Sequence, residues 1–414
     1  MRTLHTIIST LLGVLLAAGV FAEKPESTMF YLNSKNDYYK ANFTLVSHLM
    51  VLTFSVNGSD SLNLIFDTGA GRTIITEISN PYVVSLNEAR KVKLRGLGTN
   101  ESVDGLISKN NKLSMGKIEG KAQELLVVPN KVIDLTAQVG HPINGVIGRT
   151  IFEQFIVEIN YTEHTINFYD PDKFNRKIRK DEDIIPIELI EGKPYITATT
   201  TINGVDIPVK LLFDTGMSFA LWLDPSTNPN IKPGSARRQE IIGQGLNGNL
   251  SGEVSRVEKF KIGRYEFSNV ITAFPDSIAI RDAITDNGRN GSVGAEIFRR
   301  FNVLIDYRNQ QIILRKNSNF GDPFRYDMSG IEVGAIVEGL PYYKIISVGA
   351  NTPASECGLQ VNDEIKSING IPANTMKISD ITNILKSKEG KTIYMRVIRN
   401  SREVKVKFKL QELI

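Results

Sequence analysis

Two stretches decide how this chain is read: Leu-Asn-Leu-Ile-Phe-Asp-Thr-Gly-Ala-Gly at 62–71 and Val-Lys-Leu-Leu-Phe-Asp-Thr-Gly-Met-Ser at 209–218. Each is an apolar run that ends on Asp-Thr-Gly, and Asp67 and Asp214 lie 147 residues apart. One such triplet is weak evidence, because Asp and Gly are ordinary turn formers. Here the surroundings repeat as well. Ser-Val-Asn-Gly ending at Gly58 answers Thr-Ile-Asn-Gly ending at Gly204, and Gly96-Leu97-Gly98 answers Gly243-Gln244-Gly245. The run GVIGRTIFEQFIVEINYTEHTINFY from Gly145 aligns with GSVGAEIFRRFNVLIDYRNQQIILR from Gly291. The chain therefore contains an internal duplication.

Both copies read as β-rich. The β-branched runs before Asn57-Gly58 and Asn203-Gly204 predict strands that turn back tightly, since both turn residues accept positive φ. The returning strands carry each aspartate at their ends. Residues 149–155 and 295–301 suit one or two helical turns. Strands 156–160 and 303–306 follow, each reversing into a hairpin. The charged, apolar-poor stretch 170–183 reads as an exposed connector.

An aspartate at the end of a buried strand has apolar neighbours that raise its pKa. Two such carboxyls brought together cannot both ionise cheaply, so they share one proton and act as a combined acid and base. Such a pair activates a water for attack on a peptide carbonyl. Gly69 and Gly216 let backbone pass close to the carboxyls, and Thr68 and Thr215 are suited to hydrogen-bond across the two loops.

On these residues the sequence resembles the pepsin and retroviral aspartic peptidase superfamily. Phe-Asp-Thr-Gly at 66–69 and 213–216 carries the signature, followed by Val146-Ile147-Gly148 and Ser292-Val293-Gly294. The resemblance covers about residues 41–316 and implies a mainly β fold of two duplicated retropepsin-like β-barrel lobes, 41–169 and 184–316. Both catalytic aspartates in one chain imply a monomeric active site. Family members close a flap hairpin over the substrate, and Gly96, Gly98, Gly243 and Gly245 mark the candidates. Neither segment has the tyrosine of pepsin-type flaps. Ala70 and Met217 stand where a hydroxyl residue often donates to the aspartate, and that loss predicts raised pKa values and a working pH nearer neutral.

The loop Asn317-Ser318-Asn319-Phe320-Gly321-Asp322-Pro323 separates a further unit, 326–414. Thr352-Pro353-Ala354, Cys357-Gly358-Leu359, Asn362-Asp363 and Ile368-Asn369-Gly370 closely resemble bacterial PDZ domains, an α+β fold. That resemblance implies capture of a C-terminal peptide ligand through a carboxylate loop, best matched by Ser329, Gly330 and Ile331. Cys357 is expected as a buried small apolar residue, not a nucleophile.

Arg2, the apolar run Ile7–Val20 and Val20-Phe21-Ala22 predict a signal peptide over 1–22. The run is shorter than the ~20 residues a spanning helix needs, which disfavours a membrane anchor. Export to the periplasm or beyond the cell follows as an expectation. A single cysteine forbids an internal disulfide, so packing alone must hold the fold. A net charge of +4 over 414 residues gives no reason to expect nucleic acid. The four histidines lack metal-ligand spacing, and neither a phosphate loop nor a serine nucleophile elbow is present, so no cofactor or metal is expected. The chain thus reads as an exported aspartic endopeptidase that takes protein or peptide substrates. A non-cleaving peptide-binding or scaffold protein of the cell envelope is the alternative.

Overall fold

Both Asn-Gly turns form, but the strands that leave them pair differently in the two copies. In the second, strand Lys193–Ile202 pairs antiparallel with Val205–Asp214 up to Ile202 opposite Val205. Asn203 (φ 52°) and Gly204 (φ 73°) fill the two turn positions as expected. In the first, Asn57 (φ 51°) and Gly58 (φ 80°) make the same turn, and Ser59 N donates to Val56 O at 2.9 Å. Strand Leu49–Val56 pairs with Leu62–Phe66 only as far as Phe54 opposite Leu62, and its end pairs with Leu113 and Ser114. Asn57 also ties the turn to neighbouring segments: its side-chain amide donates to Ser85 O and Asn111 Oδ1, and its Oδ1 accepts from Lys112 N. This computed structural model describes residues 29–76, 84–94, 103–128, 135–136, 141–245, 248–276, 288–336 and 340–414. The expected signal peptide lies outside them.

Each lobe closes into a six-stranded ring. In lobe 1 the order is Ile118–Val127, Thr73–Ile75, Gly145–Ile147, Leu62–Phe66, Leu49–Val56 and Val103–Met115, which returns to Ile118–Val127. In lobe 2 it is Tyr265–Pro275, Leu221–Leu223, Gly291–Gly294, Val205–Asp214, Lys193–Ile202 and Gly248–Ile262, closing the same way. Closure leaves the ring strands no free edge, and alternate side chains fill the interior. The helical turns are Arg149–Gln154 and Ala295–Phe298; the second is shorter than expected because Phe301 already belongs to the next strand.

A third sheet joins the lobes. Ile156–Asn160 of lobe 1 pairs antiparallel with Phe301–Asp306 of lobe 2, with Ile159 opposite Val303. Around this seam the order is Glu182–Pro186, Gln311–Lys316, Phe301–Asp306, Ile156–Asn160, Thr165–Tyr169 and Tyr38–Asn42. The connector therefore ends inside a sheet: Glu182 is buried and accepts from Arg176 at 2.7 Å.

The C-terminal unit has its own core, including Ile345, Ile368, Ile381, Ile393 and Val397. Its sheet runs Ile331–Ala335, Tyr343–Val348, Glu364–Ile368, Thr392–Arg399 and Arg402–Lys409, and helix Ile378–Leu385 packs on Ile331–Ala335. Asn400 and Ser401 both take positive φ in the last hairpin turn. Arg256 of lobe 2 fastens this unit by donating to Phe324 O, Ile414 O and Glu412. Among the described residues no helix is long and apolar enough to cross a membrane.

Candidate active site

Each catalytic candidate sits on a strand end that packing holds in place. Phe66 and Phe213, the residues before the aspartates, pack against Phe152 and Phe298 with centroids 4.3 and 3.8 Å apart, tilted in the first pair and stacked in the second. Such pairs contribute about 0.5–1.5 kcal/mol each beyond their buried area. Both partner rings stand on the short helices that begin after Gly148 and Gly294. The neighbouring Val-Ile-Gly strand fixes the aspartate backbone, with the Asp67 amide donating to Ile147 O at 3.0 Å.

The two loops then lock onto each other. Thr68 N donates to Thr215 Oγ1 at 3.0 Å, and Thr215 N donates to Thr68 Oγ1 at 3.1 Å. Each hydroxyl donates in turn across the dyad axis, Thr68 to Phe213 O at 2.5 Å and Thr215 to Phe66 O at 2.8 Å. All four bonds are buried, so every donor and acceptor in the grip has a partner.

Asp67 and Asp214 are brought together at its centre, 2% and 1% exposed, with their carboxyls in hydrogen-bond contact. The Gly69 amide donates to Asp67 Oδ1 at 2.6 Å and the Gly216 amide to Asp214 Oδ1 at 3.0 Å. A Cβ on Gly69 would stand 2.9 Å from the Asp214 carboxyl carbon, and one on Gly216 would overlap the Asp67 carboxyl. The loop glycine of each lobe thus makes room for the aspartate of the other.

Burial pushes the Asp67 carboxyl well above its ordinary value, with the neighbouring Asp214 as the second cause. Asp214 is also raised by burial, opposed by the charge of Arg289. The raised values expected from Ala70 and Met217 thus have a larger source, the loss of water around both carboxyls. Lys193 lies near both aspartates and pulls the other way. Sequence reasoning missed Lys193 and Arg289. A basic residue at one copy's core position, where the other copy is apolar, is the signal that would have found them.

Of the flap candidates, Gly243 and Gly245 lie at the tip of the hairpin Arg237–Gly245 and Gly248–Ile262. Gly96 and Gly98 fall outside the described residues. In the C-terminal unit the predicted carboxylate loop already holds a carboxylate. Asp327 accepts from Ser329 N at 3.1 Å and Gly330 N at 2.5 Å, and Ile331 N donates to Ser329 Oγ. Cys357 is half-buried instead of fully buried, and burial raises its thiol pKa, which disfavours the reactive thiolate.

Comparison with known families matches this geometry. Residues 52–151 and 198–297 each match the aspartyl protease family, and residues 344–399 match the PDZ domain. None of the curated proteins matches the chain. The doubled Asp-Thr-Gly loops fall within the two protease matches, and the capped loop lies just ahead of the third. With an aspartyl protease domain twice over and a PDZ domain at its C-terminal end, the chain is identified as a PDZ-containing aspartyl peptidase of the pepsin/retropepsin-like superfamily.

Proposed function

We propose that the chain is an exported aspartic endopeptidase whose two lobes form one active site within a single polypeptide. The reading is carried by one observation. Two buried carboxyls, Asp67 and Asp214, touch each other inside a fully bonded threonine grip. Out of water and in contact, they hold one proton between them at working pH.

The ionised member takes a proton from a water positioned between the carboxyls, and the water oxygen bonds to the peptide carbonyl carbon. The protonated member gives its proton to the carbonyl oxygen, which leaves a neutral tetrahedral gem-diol. As the C–N bond breaks, one carboxyl protonates the departing amine and the other takes a hydroxyl proton back, so the pair returns to its starting state. The glycine amides at 69 and 216 keep each carboxyl oriented throughout.

Cleavage of a peptide library by the mature chain, beside Asp67→Asn and Asp214→Asn, tests this reading. Each variant is expected to lose at least about 10³-fold in kcat/KM. Wild-type protein that cleaves nothing between pH 3 and 9, yet binds peptides, would establish the non-cleaving alternative. Export is tested by N-terminal sequencing of the protein from the fraction outside the cytoplasm, where Glu23 is the expected first residue.

A further inference from the structure

The two lobes are built on the same register, which allows the positions flanking their aspartates to be compared one by one. Val51 pairs with Ile65, two residues before Asp67, and Tyr195 pairs with Leu212, two residues before Asp214. Two residues earlier stand Leu49 and Lys193, each closing a two-residue turn opposite Val46 and Ile190. A second anchor comes from Asn144 and Asn290, whose Oδ1 atoms accept from Asn63 N and Lys210 N, four residues before the respective aspartates. Ile143 and Arg289 precede them, and Val146 and Ser292 follow two positions on.

In lobe 1 this set is Leu49, Val51, Ile143 and Val146, all members of one apolar core. In lobe 2 it is Lys193, Tyr195, Arg289 and Ser292, buried to the same degree, with Lys193 8% and Arg289 6% exposed. Arg289 is committed to the protein, donating to Gly291 O at 2.8 Å and to Ser292 Oγ. Lys193 is not. Among the described residues no acceptor hydrogen-bonds its ammonium, which interacts with Asp67 and Asp214 only through space. Its side chain crosses to lobe 1, where Cε lies 3.8 Å from the place of a Cβ on Gly71, in the Asp67 loop. The turn that carries it is pinned to lobe 1 by Arg149, which donates to Glu191 O at 2.7 Å.

A buried ammonium without an acceptor is unfavourable, and lobe 1 demonstrates that the position accepts an apolar residue. The single negative charge on the dyad is already spread over the contacts of the threonine grip and glycine amides. Lys193 therefore keeps its donors for something that arrives. We propose that Lys193, backed by the positive charge of Arg289, binds a carboxylate of the substrate close to the scissile bond on the lobe 2 side. This deepens the peptidase reading and rests on it: the substrate class becomes peptides with a negative charge beside the cleaved bond.

The test uses matched peptides carrying Glu or Gln at each position around a cleaved bond, each as a free C-terminal acid and as an amide. Wild type is compared with Lys193→Leu, the residue lobe 1 uses, and with Lys193→Gln, and thermal melts check that both variants fold. Wild type is expected to favour the charged member by ~10- to 100-fold in kcat/KM, and both variants to bring that ratio near one. A ratio carried by the Glu/Gln pairs identifies a side chain as the source. One carried by the acid/amide pairs identifies the chain terminus. Ratios near one in wild type, or preserved in both variants, overturn the proposal. So does a shifted pH profile with preserved ratios, which would make Lys193 only a countercharge for the dyad. If wild type cleaves nothing, the peptidase reading fails by itself. Fluorescence anisotropy with the same peptides then decides the proposal through the Glu/Gln affinity ratio.

Discussion

Thr68 and Thr215 each use one hydroxyl twice, accepting an amide from the opposite loop and donating to the opposite strand. Thr68→Val keeps the shape but strands Thr215 N and Phe213 O in a dry interior. Urea unfolding is expected to show a loss of about 1–3 kcal/mol, while Thr68→Ser retains most of the stability. The aspartates behave oppositely. Their pKa values are raised in the folded chain, so the stability they contribute is full below the unfolded value of ~3.9 and falls as pH rises. Asp67→Asn removes that loss, and its melting temperature should exceed wild type at pH 7 with the gap closing toward pH 4. A gap independent of pH would contradict the burial argument. The grip was legible in sequence because Asp-Thr-Gly occurs twice with matching flanks. Lys193 was not, because the copies drift: the Asn-Gly turns are 146 residues apart and the aspartates 147. Only strand pairing reveals that Lys193 stands opposite Leu49 in the duplication.

Among the elements, hairpins with local signals were legible, including the tight turn at Asn203-Gly204 and the last turn at Asn400-Ser401. The matching turn at Asn57-Gly58 also forms, but the strand entering it pairs with Val103–Met115 beyond Phe54, a contact that no local pattern encodes. The carboxylate loop makes the same point. Ser329-Gly330-Ile331 is readable as a loop, but its amides are engaged by Asp327, two residues upstream of the motif. If the loop is the ligand site, as the family resemblance implies, an incoming C-terminus displaces this internal anion. Asp327→Ala is therefore expected to strengthen binding of C-terminal peptides by about tenfold, read by isothermal titration against Asp327→Glu and wild type. Unchanged affinity would mean that the loop is not the ligand site.

Across the whole molecule, the PDZ unit meets the lobe 2 hairpin Arg237–Gly245/Gly248–Ile262 through acids. Tyr326 donates to Glu240 on strand Arg237–Gly245, and Asp327 and Glu332 lie close by. Burial is the main cause that raises Glu240 to about 7 and Glu332 to about 8. Asp327 adds to both shifts, while Arg238 and Lys386 oppose the rise at Glu240. Both acids hold protons more tightly in the folded chain than the ~4.3 of a free glutamate. Their contribution is thus present at low pH and is lost as pH climbs from ~4.3 through 7 to 8. Hydrogen exchange over residues 237–245 and 326–336 should quicken across that window, and Glu240→Gln with Glu332→Gln should flatten the response. Exchange that does not vary with pH would remove the acids from control of this contact. Nothing in the sequence announced the contact, since Glu240 and Glu332 are 92 residues apart and each reads alone as a solvated charge.

A cleft formed by two identical walls has no arrow, whereas a peptide runs from amino to carboxyl end. With symmetric walls, the two-fold axis makes both senses equivalent, so one substrate fits and is cut in either. Leu49 and Lys193, at equivalent positions of the two lobes, break that equivalence. On the proposed role of Lys193, a peptide entering backwards carries its charge toward the apolar side and leaves the ammonium without an acceptor, a double cost. Fusing two copies into one chain made that distinction possible, because only then can a single position carry different residues in the two halves.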